Sequence, residues 1–276
     1  MAQSEQQAVS AHYSVGGLGE KILGALRTAG KEVEHLTPAD LSPLDAFHIR
    51  GRDATRELAV IAGLDASRRV LDVGCGIGGS ARFLAAEYGC RVTGVDLSEE
   101  FCRVATMLSE RCGLAAVTEF RAASAVALPV EDASFDIVWT EHVQMNVEDK
   151  AHFYGEIHRV LKPGGRLLFH DVFQGPGGQP HFPVPWAGTA AISHLVSPEE
   201  GGRILDSRRL RRRHWEDVSA KSLAWFQSLM QRFATRGRPP LGLHLLMGPD
   251  ATQKFEQLVR NLDEARIVVV QAMYRK

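Results

Sequence analysis

Short apolar runs alternate with amphipathic stretches through the middle of the chain. Arg69-Val-Leu-Asp-Val and Arg91-Val-Thr-Gly-Val are compact runs of strand length. Longer segments with apolar residues at helical spacing follow them, from Ser80 to Tyr88 and from about Ser98 to Cys112. The pattern continues with strands at Val117 to Arg121 and Phe135 to Trp139, a helix from Asp149 to Leu161, and a strand from Arg166 to Phe169. Strands alternating with helices predict βαβ units and a parallel sheet.

The flanks differ. Residues 1–65 read as helical and polar, with breaks at Gly16-Gly17, Gly30 and Pro38 to Pro43, and a last helix from Asp53 that stops at Gly63. Beyond Asp171, the Gly- and Pro-rich stretch from Gln174 to Pro185 predicts a loop. A short helix around Pro198 to Leu205, a strand near Leu210 to Asp217, and helices at Ala220 to Ala234 and Asp250 to Asp263 follow. Ile267-Val-Val-Val-Gln-Ala forms a closing strand. We therefore expect one α/β domain over 1–276: a helical cap (1–65), a cofactor-binding core (66–172) and a substrate-side elaboration with the closing strands (173–276).

Composition narrows the partners. With 276 residues, 45% of them hydrophobic, the chain can bury a sizeable core. A formal net charge of −1 argues against nucleic acid or an anionic membrane as the main partner. Arg208-Arg-Leu-Arg-Arg-Arg-His falls on the expected strand after residue 205, where basic residues protect a sheet edge. Cys75, Cys90, Cys102 and Cys112 form no C-x-x-C pair and predict buried thiols in a reducing compartment. The polar start Met1-Ala-Gln-Ser-Glu-Gln-Gln does not read as a secretory signal, and no apolar run reaches membrane-spanning length. The expectation is a cytoplasmic protein.

The candidate chemistry starts at Val70-Leu-Asp-Val-Gly-Cys-Gly-Ile-Gly-Gly-Ser, a strand that runs through glycines into a helix. Gly74, Gly76 and Gly79 fit a G-x-G-x-x-G pattern, and Asp96 ends the next strand, where a carboxylate receives ribose hydroxyls. Both features fit an adenosine cofactor of either kind. Asp72 separates the kinds. A pyrophosphate wants backbone amides and positive potential at the loop, and a fixed carboxylate repels it. S-adenosylmethionine (SAM) carries an ammonium and a sulfonium instead, which a carboxylate suits; a cap on the following turn is the alternative for Asp72.

The chain resembles the class I SAM-dependent methyltransferases, and among them the sarcosine/dimethylglycine and ubiquinone/sterol-type small-molecule enzymes. Val70 to Gly78 is similar to their motif I, and Val92-Thr-Gly-Val-Asp-Leu-Ser to their acidic second strand. Phe135-Asp-Ile-Val-Trp matches the fourth strand, and Glu156-Ile-His-Arg-Val-Leu-Lys-Pro-Gly-Gly-Arg-Leu the helix and turn leading into the fifth. Phe47-His-Ile-Arg-Gly-Arg-Asp-Ala-Thr resembles the glycine/sarcosine branch. The resemblance implies a Rossmann-like, seven-stranded, mostly parallel sheet with its last strand antiparallel, helices on both faces and a helical N-terminal cap. It implies SAM as cofactor, held by Asp72, Gly74, Gly76, Gly78, Asp96, Leu97, Ser124, Ala125 and Glu141. Members often carry Gly-Asp-Ala where Ala123-Ser124-Ala125 stands, leaving Ser124 to accept the adenine amino group. Several carry a His-His or Leu-His pair where this chain has Met145-Asn146.

Ligands of open α/β sheets bind beyond the carboxyl ends of the strands. That places Glu141, His142 and Gln144 after the fourth strand, and His170 and Asp171 after the fifth, near a substrate. His142 is the candidate catalytic residue, as a base or an orienter, since imidazole titrates near neutral pH; a plain loop hydrogen bond is the alternative. Asp171 would hold a cationic amine or cap its turn. Tyr13 would be a lid residue or a surface tyrosine. Phe173, Phe182 and Trp186 would face a cationic centre or pack on one another. No metal site is expected. The acceptor is expected to be a small molecule, with an amine nitrogen favoured by the glycine/sarcosine resemblance. Carbon or oxygen methylation of a quinone, sterol or other natural product, and a non-methylating SAM-binding role, are alternatives. A nucleic-acid methyltransferase is disfavoured by Thr140-Glu-His-Val after the fourth strand, and a nicotinamide oxidoreductase by Asp72.

Overall fold

The computed structural model describes residues 2–13, 16–237 and 239–276. Four helices precede the sheet: α1 (Ala2–Tyr13), α2 (Leu18–Thr28), α3 (Pro38–Asp45) and α4 (Arg52–Ala62). Thr37 starts α3 with a capping box, its own N–H donating to the Asp40 carboxylate at 2.9 Å. The core runs β1 (Arg69–Val73), α5 (Gly79–Tyr88), β2 (Arg91–Asp96), α6 (Glu99–Arg111), β3 (Thr118–Ala122), β4 (Phe135–Glu141), α7 (Lys150–Val160) and β5 (Leu161–Gln174). Then come α8 (Pro198–Ser207), β6 (Arg211–Asp217), α9 (Ser219–Arg236), α10 (His244–Met247), α11 (Ala251–Asp263) and β7 (Ile267–Arg275).

The strands form one sheet in the order β3-β2-β1-β4-β5-β7-β6. β1 to β5 pair in parallel, and β7 lies antiparallel between β5 and β6. This is the expected architecture. Side chains alternate between two buried faces, as the two-residue period of a strand requires. Leu71, Val138, Leu167 and Phe169 pack with Phe153 and Ile157 of α7. Val70, Ile137 and Trp139 pack with Leu58 of α4 and Leu84 of α5. The strand order reverses between β1 and β4, so their outgoing connections diverge and open a crevice at their carboxyl ends.

β5 is longer than its sequence suggested. Arg166 to Gln174 pairs residue for residue with β7, so Gln174 is strand and not the start of the loop. The polar letters His170, Asp171 and Gln174 hide this from a hydrophobicity pattern. The basic run falls partly on β6, the edge strand, with Arg211, Arg212 and Arg213 exposed. Cys75, Cys90 and Cys102 are buried and Cys112 is half-buried, all as free thiols. Among the described residues, no helix is long and apolar enough to cross a membrane.

Candidate functional site

The carboxyl ends of β1, β2 and β4 surround a cavity of about 230 Å³, roofed by α1. Asp72, Gly74, Gly76, Asp96, Leu97, Ser124, Ala125, Glu141, His142 and Tyr13 all line it. Gly78, Gln144, His170 and Asp171 do not.

The glycine loop after β1 is shaped from both sides. The Gly76 N–H donates to Asp96 Oδ2 and the Ser98 N–H to Asp96 Oδ1, each at 2.9 Å, fixing that carboxylate at the tip of β2. Gly76 has φ +53°, and a Cβ there would meet nothing within 4 Å, so the loop presents bare backbone to open cavity. Gly79 faces the other way: its Cβ would lie 1.9 Å from the Asp45 carbonyl of α3. Gly78 precedes α5 and packs on Phe120. A side chain there would meet Phe120 and Arg82, so the position is kept to bare backbone.

Asp72 is buried, and its Oδ2 has no hydrogen-bond partner. Burial, then the charges of Glu141 and Asp96, push its carboxyl well above the usual range. Burial also raises Asp96, against the N–H donors of Ser98, Gly76 and Leu97. Glu141 ends β4 within a ring of donors. Thr55 Oγ1 lies 3.0 Å and Trp139 Nε1 2.9 Å from its two oxygens, and the Ser80 hydroxyl also donates. His48 Nε2 is 3.5 Å away. The cap therefore reaches into the core through His48 and Thr55, two residues that the sequence reading did not single out.

His142 follows β4 with φ +56°, a left-handed conformation that few side chains adopt. Its Nε2 accepts the Ile49 N–H at 3.4 Å, so Nδ1 carries the ring hydrogen. Its ring stacks on His170 with centroids 5.2 Å apart. Burial, followed by His170 and His48, pushes its pKa well below the usual value, which keeps the ring neutral. His170 is fully buried and donates from Nε2 to the Ile49 carbonyl at 2.9 Å. One cap residue thus fixes two histidines through its backbone.

Gln144, His170 and Asp171 are buried behind the cavity lining, and Asp171 takes the turn-capping arrangement that was the alternative for it. Asp171 Oδ2 accepts the Val143 and Gln144 N–H groups at 3.1 Å, and its Oδ1 accepts the Val172 N–H at 2.8 Å. Burial raises it to about 6 in spite of these bonds. Gln144 donates to the Val172 carbonyl. Together they build the turn that carries His142. Of the loop aromatics, Trp186 lines the cavity, whereas Phe173 is buried against Phe169 and Trp215.

Among the described side chains, Gln6, His12 and Tyr13 tie α1 over the cavity. Gln6 donates to Ser124 Oγ (3.1 Å), His12 to the Pro185 carbonyl (3.0 Å) and the Tyr13 hydroxyl to Asn146 Oδ1 (2.9 Å). The Asn146 amide donates in turn to the Trp186 and Ile192 carbonyls. Asn146 is the hub of this roof, and as one polar residue in a short turn it carries no periodic signal.

An unpartnered buried carboxylate oxygen, two further carboxylates and exposed loop backbone fit a cation-bearing adenosine ligand. They do not fit a pyrophosphate. Among the described residues, no group of three or more His, Cys, Asp or Glu side chains converges to hold a metal.

The fold, a mostly parallel seven-stranded sheet with helices around it, is shared with solved methyltransferases. Residues 71–169 match the family model described as a methyltransferase domain. It is 42% identical over 101 residues to the chloroplastic tocopherol O-methyltransferase of Arabidopsis thaliana (37% of this chain, 29% of that protein). It is 33% identical over 151 residues to the glycine/sarcosine/dimethylglycine N-methyltransferase of Actinopolyspora halophila (55% and 27%). These matches span under a third of either relative's length. The fold is similar to that of geranyl diphosphate C-methyltransferase from Streptomyces coelicolor A3(2), solved with Mg²⁺, geranyl diphosphate and S-adenosyl-L-homocysteine (SAH). The TM-score is 0.72 at 17% identity, covering 98% of this chain and 97% of that one.

Proposed function

We propose that this protein transfers the methyl group of SAM to a small-molecule acceptor bound beneath α1. The observation that carries this reading is the unpartnered Oδ2 of buried Asp72, crowded by two other carboxylates beside open glycine backbone. Such a site is improved by a cation. Asp72, Gly74, Gly76 and Glu141 would hold the amino-acid end, Asp96 and Leu97 the ribose, and Ser124 with Ala125 the adenine. When bound, SAM supplies a methyl group on a positively charged sulfur, an excellent leaving group. The chain's task is then alignment and exclusion of water. His142 would orient the acceptor through its Nδ1–H. With Nε2 engaged by Ile49 and the ring held neutral, a role as orienter fits better than one as base. Amine nitrogen, ring carbon and hydroxyl oxygen are all within the reach of this chemistry. We also read the protein as cytoplasmic and without a nucleic-acid partner, in keeping with its free thiols and near-zero net charge.

Thermal unfolding with SAM, SAH and NADH side by side tests the reading. A ligand at a hundred times its dissociation constant adds about 2.7 kcal/mol. Stabilisation by SAM and SAH with none from NADH is expected. No shift with either SAM-type ligand overturns the proposal.

A further inference from the structure

The two halves of the cavity differ in chemistry. The cofactor half holds Asp72, Asp96 and Glu141. The other half, between α1 and the turn after β4, is walled by Tyr13, Phe47, Met145, Val147, Trp186 and Leu246. Its polar atoms are largely committed. The Tyr13 hydroxyl and the Asn146 amide bind each other and two backbone carbonyls, which leaves the His142 ring as the polar handle. The neighbouring cations are committed too. Arg82 pairs with Asp45, and Lys150 donates to the Val147 and His194 carbonyls. At the rim stand two exposed acids, Glu148 and Asp149.

We propose that the methyl acceptor carries no phosphate or carboxylate, and is instead an apolar body bearing one neutral hydroxyl or amine, the group that is methylated. This rests on the methyltransferase reading above. An anionic group in this half meets apolar walls and an acidic rim, and burying a charge without a partner is heavily disfavoured. An apolar ring gains by leaving water for the same walls. A hydroxyl accepts the His142 Nδ1–H with one lone pair and attacks with the other, whereas an amine lies beside the ring with its lone pair free. As the bond to the methyl carbon forms, the carbon–sulfur bond of SAM breaks, SAH leaves, and the acceptor's proton passes to water at the acidic rim.

Binding to the SAH-saturated protein tests this with acceptors matched in shape that differ in charge: 4-methylphenol against 4-hydroxybenzoate, and 4-methylaniline against 4-aminobenzoate. Binding is read by calorimetry and turnover with SAM by mass spectrometry. We expect the neutral member of each pair to bind about 100-fold more tightly than its anionic partner. In Glu148→Lys, which adds a cation at the exposed rim, that gap narrows. Equal or tighter binding of the anionic members overturns the proposal, as does failure of both neutral members to bind while SAH binds normally. Failure of SAH itself to bind overturns the methyltransferase reading instead, so the two failures are distinguishable.

Discussion

Asp72 is kept at a site where its charge is unwelcome. Its carboxylate is dry, lacks a partner on Oδ2 and feels two neighbouring acids. Asp72→Asn removes that burden, so the ligand-free protein should be at least as stable as wild type. The same change deletes the counter-charge for a cation and should weaken SAH binding by about 10- to 100-fold, the loss of one charge-assisted bond. Calorimetry and thermal unfolding on one variant read both effects. Cation binding favours the ionised carboxylate, so wild type should release protons on binding and bind less tightly as pH falls through the raised pKa of Asp72. Asp72→Asn should lose much of that dependence. His170 supplies a second test. Burial and His48 hold its ring well below 6.5 in the folded chain. Below pH 6.5 the unfolded chain takes up a proton that the folded one refuses, so stability falls with pH by up to about 1.4 kcal/mol per unit. Asp171, raised to about 6, acts in the opposite direction in both proteins. The stability gap between wild type and His170→Gln should therefore shrink between pH 7.5 and 5.5 in urea titrations.

At the level of elements, the βα units were legible because their signals are local. Arg69–Val73 reads as a strand from its own letters, and Gly63 stops α4 in the left-handed conformation that suits glycine. The candidate site was legible only where a motif carried it, as at Asp72, Gly76 and Asp96. His48, Thr55 and Asn146 were not, because each acquires its role from a partner far along the chain: Thr55 meets Glu141, and Asn146 meets Tyr13 and Trp186. For Asp171 the sequence left two roles open for a related reason. A carboxylate after an expected strand end looks like a ligand until its backbone donors are seen. The glycine loop separates folding from binding in a measurable way. Gly79→Ala forces a methyl into the α3 backbone and should cost about 3 kcal/mol or more in urea unfolding. Gly76→Ala adds a methyl only to open cavity and should cost about 1 kcal/mol for its positive φ, while reducing SAH affinity sharply.

Across the whole molecule, the parallel half of the sheet builds the cofactor crevice and the antiparallel pair β7-β6 closes the other side with a basic, solvated edge. The N-terminal helices then cover what the sheet opens. Residues 71–169 match the methyltransferase-domain model, and Asn146 of that core joins Tyr13 of the cap to Trp186 of the C-terminal third across the cavity.

The three bonds that hold α1 across the cavity act in time as well as in space. On the proposed function, a cofactor bound beneath α1 would leave when Gln6, His12 and Tyr13 let go, so each turnover would contain a waiting interval set by how often the helix lifts. Rapid mixing of enzyme, SAM and acceptor should then give a burst of one product per active site before a slower steady rate. Tyr13→Phe keeps the ring but cuts the bond to Asn146, and should quicken the steady rate while leaving the burst in place. The helix that shelters the reaction would also serve as its clock.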